Sequence, residues 1–213
     1  MLAYVFWHRP AAHAPQVRYE QALSAFHRSL ARRRPAGMTG STCFRVAGLP
    51  WPERREPAGG GMRVAPSFPV APRLHAPVGY EDWYFLDDFA AIGVLNEAAV
   101  GPGHKTSHNE AARLTGAGTA SIFMLLEGTV AAMRAPGVSV WVAREPGSAR
   151  PEVAGLLADG APGRAALWRR QLVLGPAPEF CLAARQVPAG VSPLRLPAGW
   201  SARTLVREVL FSD

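Results

Sequence analysis

Apolar positions fall in short runs along this chain, and the period of the runs changes from stretch to stretch. Residues 2–8 (LAYVFWH) are rich in aromatic and β-branched side chains, as a strand requires. Pro10 and Pro15 bracket a loop. From 16 to 34 the period becomes helical: Tyr19, Leu23, Phe26 and Leu30 stand four, three and four apart and form one stripe. Pro35 and Gly37 stop that helix. Thr42, Phe44 and Val46 mark a second strand, and 80–86 a third. Asp87-Asp88 offers a carboxylate cap to a helix with Phe89, Ile92, Asn96 and Ala99 along one face, broken at Gly101-Pro102-Gly103. Ser107-His108-Asn109-Glu110 has capping-box spacing and starts a short helix ending near Gly116. A fourth strand follows at 121–126.

The second half repeats the opening in weaker form. Val5-Phe6-Trp7-His8-Arg9-Pro10 is echoed by Val140-Trp141-Val142-Ala143-Arg144-Glu145-Pro146, each an apolar run closed by arginine and proline. The pattern predicts strands at 138–143, 166–174, 180–186 and 202–211. It also predicts one helix at 151–158, opened by Pro151. A second helix is missing; 191–199, with Pro193 and Pro197, takes its place. Seven prolines and Gly59-Gly60-Gly61 deny 50–79 a long helix or a central strand, and read as a partly ordered strap.

The first half therefore reads β-α-β-β-α-β, the ferredoxin-like order. The fold class expected is α+β: two ferredoxin-like units in tandem, the second lacking its second helix, with their sheets packed together as a pseudo-dimeric α+β barrel. The units span 1–127, with the 50–79 insertion, and 138–213, joined by 128–137. This element order resembles the fused form of the dimeric α+β barrel superfamily. That superfamily includes cofactor-free monooxygenases, muconolactone-isomerase-like proteins and haem-binding chlorite-dismutase-like proteins. The stretch GYEDWYFLDDFAAIGVLNEAAV (79–100) also resembles an uncharacterised bacterial family. The superfamily hosts many functions, so the resemblance implies architecture more than activity.

Composition narrows the classes. The chain has 213 residues, 48% of them hydrophobic and 18% charged, ordinary for a globular protein with a sizeable core. The formal net charge of +7 suggests a polyanion partner. Yet Lys105 is the only lysine, and the arginines are scattered apart from Arg32-Arg33-Arg34, which sits where cations suit a helix C-terminus. Nucleic-acid binding is the weakest expectation. Cys43 and Cys181 lie in apolar strand contexts without C-x-x-C spacing and read as buried thiols. No signal-peptide pattern or bilayer-length apolar run is visible, so a cytoplasmic location is expected, with no membrane partner.

All six histidines precede residue 109. The haem ligand of chlorite-dismutase-like proteins comes from the second unit, so that branch is disfavoured. His104 and His108 have zinc-compatible spacing, but Gly103 and a helix start at Ser107 put them out of register; no metal site and no cofactor are expected. His8, at a strand end, and Asp82 are the candidate catalytic groups, able to move protons near neutral pH. Glu81-Asp82-Trp83-Tyr84 with Asp87-Asp88 is the densest polar-aromatic cluster; strand alternation puts Asp82 with Tyr84 and Trp83 with Asp87. Trp7, Arg9, Trp83, Tyr84 and Asn96 are the candidate binding residues. Arg9 and Arg144 hold matching places in the echo and suit a structural pairing with carboxylates.

No G-x-S-x-G, P-loop or Rossmann pattern is present. The leading expectation is a small-molecule-binding protein or cofactor-independent enzyme of barrel type acting on an apolar or enolisable metabolite, as monomer or homodimer. Its rival is a non-catalytic assembly protein with a filled interior, using the 50–79 strap or an exposed strand edge for contacts. An open cavity walled by His8 or Asp82 favours the first; a packed interior with an apolar outer patch favours the second.

Overall fold

The computed structural model describes residues 1–49, 78–135, 137–144, 165–173, 178–186, 196 and 198–213. Eight strands form one sheet: β1 (Leu2–Pro10), β2 (Met38–Ala47), β3 (Val78–Leu86), β4 (Thr115–Gly128), β5 (Gly137–Arg144), β6 (Ala165–Val173), β7 (Phe180–Ala184) and β8 (Trp200–Ser212). Their order is β1-β3-β2-β8-β5-β7-β6-β4, and the ring closes between β4 and β1. Every described pairing is antiparallel. Three α-helices are described: α1 (Gln16–Arg32), α2 (Ala90–Val100) and α3 (Lys105–Leu114).

This architecture corrects the expected one. Two ferredoxin-like units with packed sheets would leave each sheet with its own edges. Instead β2 pairs with β8 and β4 pairs with β6, so hydrogen bonds join strands of the first half to strands of the second. The product is a closed eight-stranded barrel, mostly sheet, with its described α-helices all between residues 16 and 114. The helix expected at 151–158 and residues 50–77 of the strap lie outside the described residues.

Alternation along each strand sorts the two faces. In β1, Ala3, Val5 and Trp7 point into the barrel; in β3, Trp83 and Phe85 do the same. An eight-stranded barrel is just wide enough for side chains to fill it, and here indoles do much of the filling. Trp7, Trp83, Trp141 and Trp168 are all buried. Trp7 and Trp141 meet at 5.1 Å between ring centres, and Trp83 and Trp168 at 5.5 Å. Glu81 sits among them, its carboxylate accepting the Trp141 indole N–H at 2.9 Å. Burial pushes the Glu81 carboxyl above its usual range, an effect partly offset by Arg207 and by indole donors.

The opposite face of β1 and β3 lies under α1. Tyr19, Leu23, Phe26 and Leu30 of α1 are buried, each contributing about 1.5–3 kcal/mol where fully removed from water. With them the helix buries His27.

Two helix starts differ from expectation. α3 begins at Lys105, two residues before Ser107. The preceding Gly103 has φ +103°, and the Ser107 hydroxyl donates to the His104 carbonyl at 2.9 Å instead of capping. In α2 the inward residues are Ala91 and Leu95, so Asn96 is exposed. Asp88 does supply a first-turn acceptor, for the Ala91 N–H at 3.0 Å.

Candidate functional site

The pairing of β1 with β3 sets Phe6 opposite Asp82 and His8 opposite Tyr80. On the helix-facing side this brings His8 and Asp82 together, and α1 lowers His27 onto the same carboxylate. His8 Nε2 lies 3.1 Å from Asp82 Oδ2, and His27 Nε2 lies 3.3 Å from Asp82 Oδ1. His8 and His27 have no exposure, and Asp82 only 2%. Both contacts are close but out of line for a hydrogen bond: neither Nε2, nor Asp82 Oδ1, has an aligned partner. Tyr84 does donate its hydroxyl to Asp82 Oδ2, at 3.2 Å, and the Cys43 sulfur of β2 lies within 4.8 Å of this carboxylate.

The far nitrogens are held too. His8 Nδ1 is 2.5 Å from the Tyr19 hydroxyl, and His27 Nδ1 is 2.8 Å from Ser41 Oγ. Rings pack around the cluster: Tyr80 stacks on His8 at 5.6 Å, and Tyr84 stacks on His27 at 5.1 Å.

Electrostatics follow from this geometry. Burial alone drives the Asp82 carboxyl upward, but the two imidazoles beside it outweigh burial and hold it well below the usual carboxylate range. The same carboxylate reinforces the effect of burial on its neighbours: Cys43 and Tyr84 are both held well above their ordinary values, first by burial and then by Asp82. The arrangement therefore keeps one negative charge on Asp82 and keeps the surrounding phenol and thiol protonated.

Of the residues singled out by sequence, His8, Asp82 and Tyr84 converge here. The others do not. Trp7 and Trp83 lie across the sheet in the barrel, Arg9 follows Trp7 on the alternating strand, and Asn96 faces outward on α2. One pocket walled by Trp7, His8, Trp83 and Tyr84 is excluded by the thickness of the sheet. Arg144 pairs with a carboxylate: its Nε donates to Glu179 at 3.1 Å. Sequence reasoning missed His27, Tyr19, Ser41 and Cys43 as members of this cluster. His27 carried a signal, since it stands four residues after Leu23 and beside Phe26, a polar residue in an apolar stripe.

A surface cleft opens on the other side of α1, between it and α3, with Ala22, Ala25, Ser29, Gly103 and Ser107 among its lining. Ser29 bridges the two helices, meeting His104 Nδ1 at 3.1 Å and lying 3.0 Å from the Ser107 hydroxyl oxygen. The N-terminal end of α1 has no side-chain cap: Pro15 stands there without an acceptor, and no acidic residue occupies the first turn. Helix starts of this kind leave their free amides to water. Tyr19, which holds His8, lies just beyond it.

No protein-family model matches this chain, and no curated protein matches it. Solved structures do resemble it. A protein of Fusobacterium nucleatum subsp. nucleatum ATCC 25586 described as a "putative monooxygenase" aligns over 100% of this chain and 93% of its own, with TM-score 0.55 and 8% identity. An "anthrone oxidase-like protein" aligns over 100% and 92%, with TM-score 0.52 and 8% identity. A second "putative monooxygenase", from Lactobacillus acidophilus NCFM, aligns over 100% and 95%, with TM-score 0.52 and 9% identity. At these identities the likeness is one of fold: this chain shares the barrel architecture of those three proteins.

Proposed function

We propose that this chain is a small-molecule enzyme of barrel type, working by proton transfer at the His8–Asp82–His27 cluster. The observation that carries the reading is a fully buried carboxylate flanked by two imidazole nitrogens whose lone pairs or protons are not spent on aligned hydrogen bonds. Such a cluster is costly to bury, and buried groups with perturbed ionisation gather at functional sites. Access is through α1: moving the helix off the sheet lifts His27 from the Asp82 carboxylate and Tyr19 from His8, and opens the cluster to a ligand.

The substrate class that suits this centre is an enolisable aromatic ketone, for which the names of the structural neighbours also speak. His8 Nε2 takes the acidic C–H proton, and Asp82 stabilises the imidazolium that results. The carbanion then donates electrons to dioxygen, forms a C–O bond and loses water. For anthrone the balance is C14H10O + O2 → C14H8O2 + H2O, with the substrate carbon oxidised and dioxygen reduced. Tyr84, kept protonated, gives its hydroxyl hydrogen to Asp82 Oδ2 and fixes that carboxylate beside His8.

The test uses anthrone in air-equilibrated buffer and follows quinone formation. General-base catalysis contributes about 10²–10⁴-fold, so His8→Gln and Asp82→Asn proteins that retain wild-type circular dichroism lose at least a hundredfold in rate. A wild-type protein that does not exceed buffer, or folded variants as fast as wild type, overturns the reading.

A second reading is favoured by a separate observation. The barrel interior is filled, and Phe89 at the cap of α2, with Val94 and Val100 on the helix, stands 57%, 40% and 52% exposed. Such an apolar surface suits contact with another macromolecule. An open strand edge plays no part in it, because the closed ring has none.

A further inference from the structure

The geometry points to a binding site for a divalent transition-metal ion of the zinc class, built by His27, Cys43 and Asp82 with His8 as the fourth donor. The donor atoms of His27, Cys43 and Asp82 all lie within 4.8 Å of one another, and all three residues are buried. His8 Nε2 reaches the same carboxylate at 3.1 Å. Zinc bonds of about 2.0–2.3 Å in a tetrahedron place donors about 3.3–3.8 Å apart, within the span that His27, Cys43 and Asp82 already occupy.

The far nitrogen of His8 is already placed: Nδ1 lies 2.5 Å from the Tyr19 hydroxyl, which in turn lies 3.0 Å from the Thr115 hydroxyl. Where Tyr19 accepts from His8 Nδ1–H, the His8 lone pair is on Nε2, facing a carboxylate oxygen at 3.1 Å. A cation, either a proton or a metal ion, is what holds those two atoms together. Ligand histidines characteristically donate their other ring N–H to a fixed partner, and Tyr19 and Ser41 are placed for that role.

Charge agrees. A dication with one thiolate, one carboxylate and two neutral imidazoles is neutral overall, the state a fully buried site requires. Mixed nitrogen, sulfur and oxygen donors select zinc or cobalt over magnesium or calcium. Binding releases the Cys43 thiol proton as the metal–sulfur bond forms. The donors come from β1, α1, β2 and β3, so the ion would pin the helix to the sheet.

This inference uses the cluster named for proton transfer and deepens that reading: a metal on Nε2 occupies the base's lone pair and silences it. The test is Co²⁺ titration of full-length protein stripped with chelator. Expected are one equivalent bound, intense d–d bands of a tetrahedral site and a sulfur-to-cobalt charge-transfer band. Cys43→Ser loses the charge-transfer band, and Cys181→Ser keeps it. Tyr19→Phe weakens binding about 10–100-fold with circular dichroism unchanged. No stoichiometric cobalt binding, or a charge-transfer band that survives Cys43→Ser, overturns the site. If cobalt fails to bind while metal-free protein oxidises anthrone, the metal inference falls alone. If cobalt binds and metal-free protein is inert, the proton-transfer reading falls alone.

Discussion

Replacing Asp82 with asparagine keeps the shape of the buried cluster and removes its only negative charge. His8, His27, Tyr84 and Cys43 all place polar atoms around that carboxylate, and among the described residues Asp82 is the charged group in contact with both imidazoles. Removing one partner of a buried charge pair costs about 3–5 kcal/mol, because the remaining group stays buried without compensation. For a chain of 213 residues, about 2–4 °C of melting temperature is lost per kcal/mol, so Asp82→Asn melts about 6–20 °C below wild type. Urea titration of wild type, Asp82→Asn, His27→Gln and the double variant isolates the pair. Contacting residues in one polar network couple by about 0.5–3 kcal/mol, so the double variant loses less than the sum of the singles. Additive losses, or a single-variant loss under about 1 kcal/mol, refute the claim that Asp82 binds helix to sheet electrostatically.

Three further outcomes follow from the same geometry. Pro15→Asp supplies α1 with a side-chain acceptor; it raises stability by about 0.5–2 kcal/mol and slows amide hydrogen exchange in residues 16–19. Gly128→Ala lowers stability by more than about 1 kcal/mol in urea melts, because φ is +86° there and a Cβ would meet the Ala165 carbonyl. The Asp82 carboxyl is depressed in the fold by His8 and His27 against the opposing effect of burial. Its stabilising contribution is therefore complete above the unfolded value of about 3.9 and fades as pH falls below it. Urea melts between pH 6 and pH 2 show this fading in wild type and a flatter profile in Asp82→Asn.

The sequence was most legible where one period runs long enough to exclude the other. α1 and β1 announce themselves this way, and alternation alone puts Asp82 and Tyr84 on one face. The meeting of His8 with Asp82 depends on the register of β1 against β3, which hydrogen bonding across 70 residues decides and no local pattern records. His27 was visible as a polar interruption of an apolar stripe, but its partner lies on another element. The α2 face was misplaced because its sequence is apolar nearly all round, leaving no polar side to orient it. The α3 start was misplaced because the Ser107 hydroxyl serves the His104 carbonyl and Ser29. Ring closure had no local signature at all: Cys43 pairs with Phe211 across most of the chain.

That last pairing has a bearing on how the chain leaves the ribosome. Until β8 emerges, β2 lacks its final neighbour and offers a free row of amides and carbonyls, the template on which strands of other molecules add. Synthesis of the intervening residues is thus a window of vulnerability that ends only when β8 arrives. Chains shortened before Trp200 would never leave that window and are expected to accumulate as insoluble aggregates, whereas a chain that includes β8 seals itself.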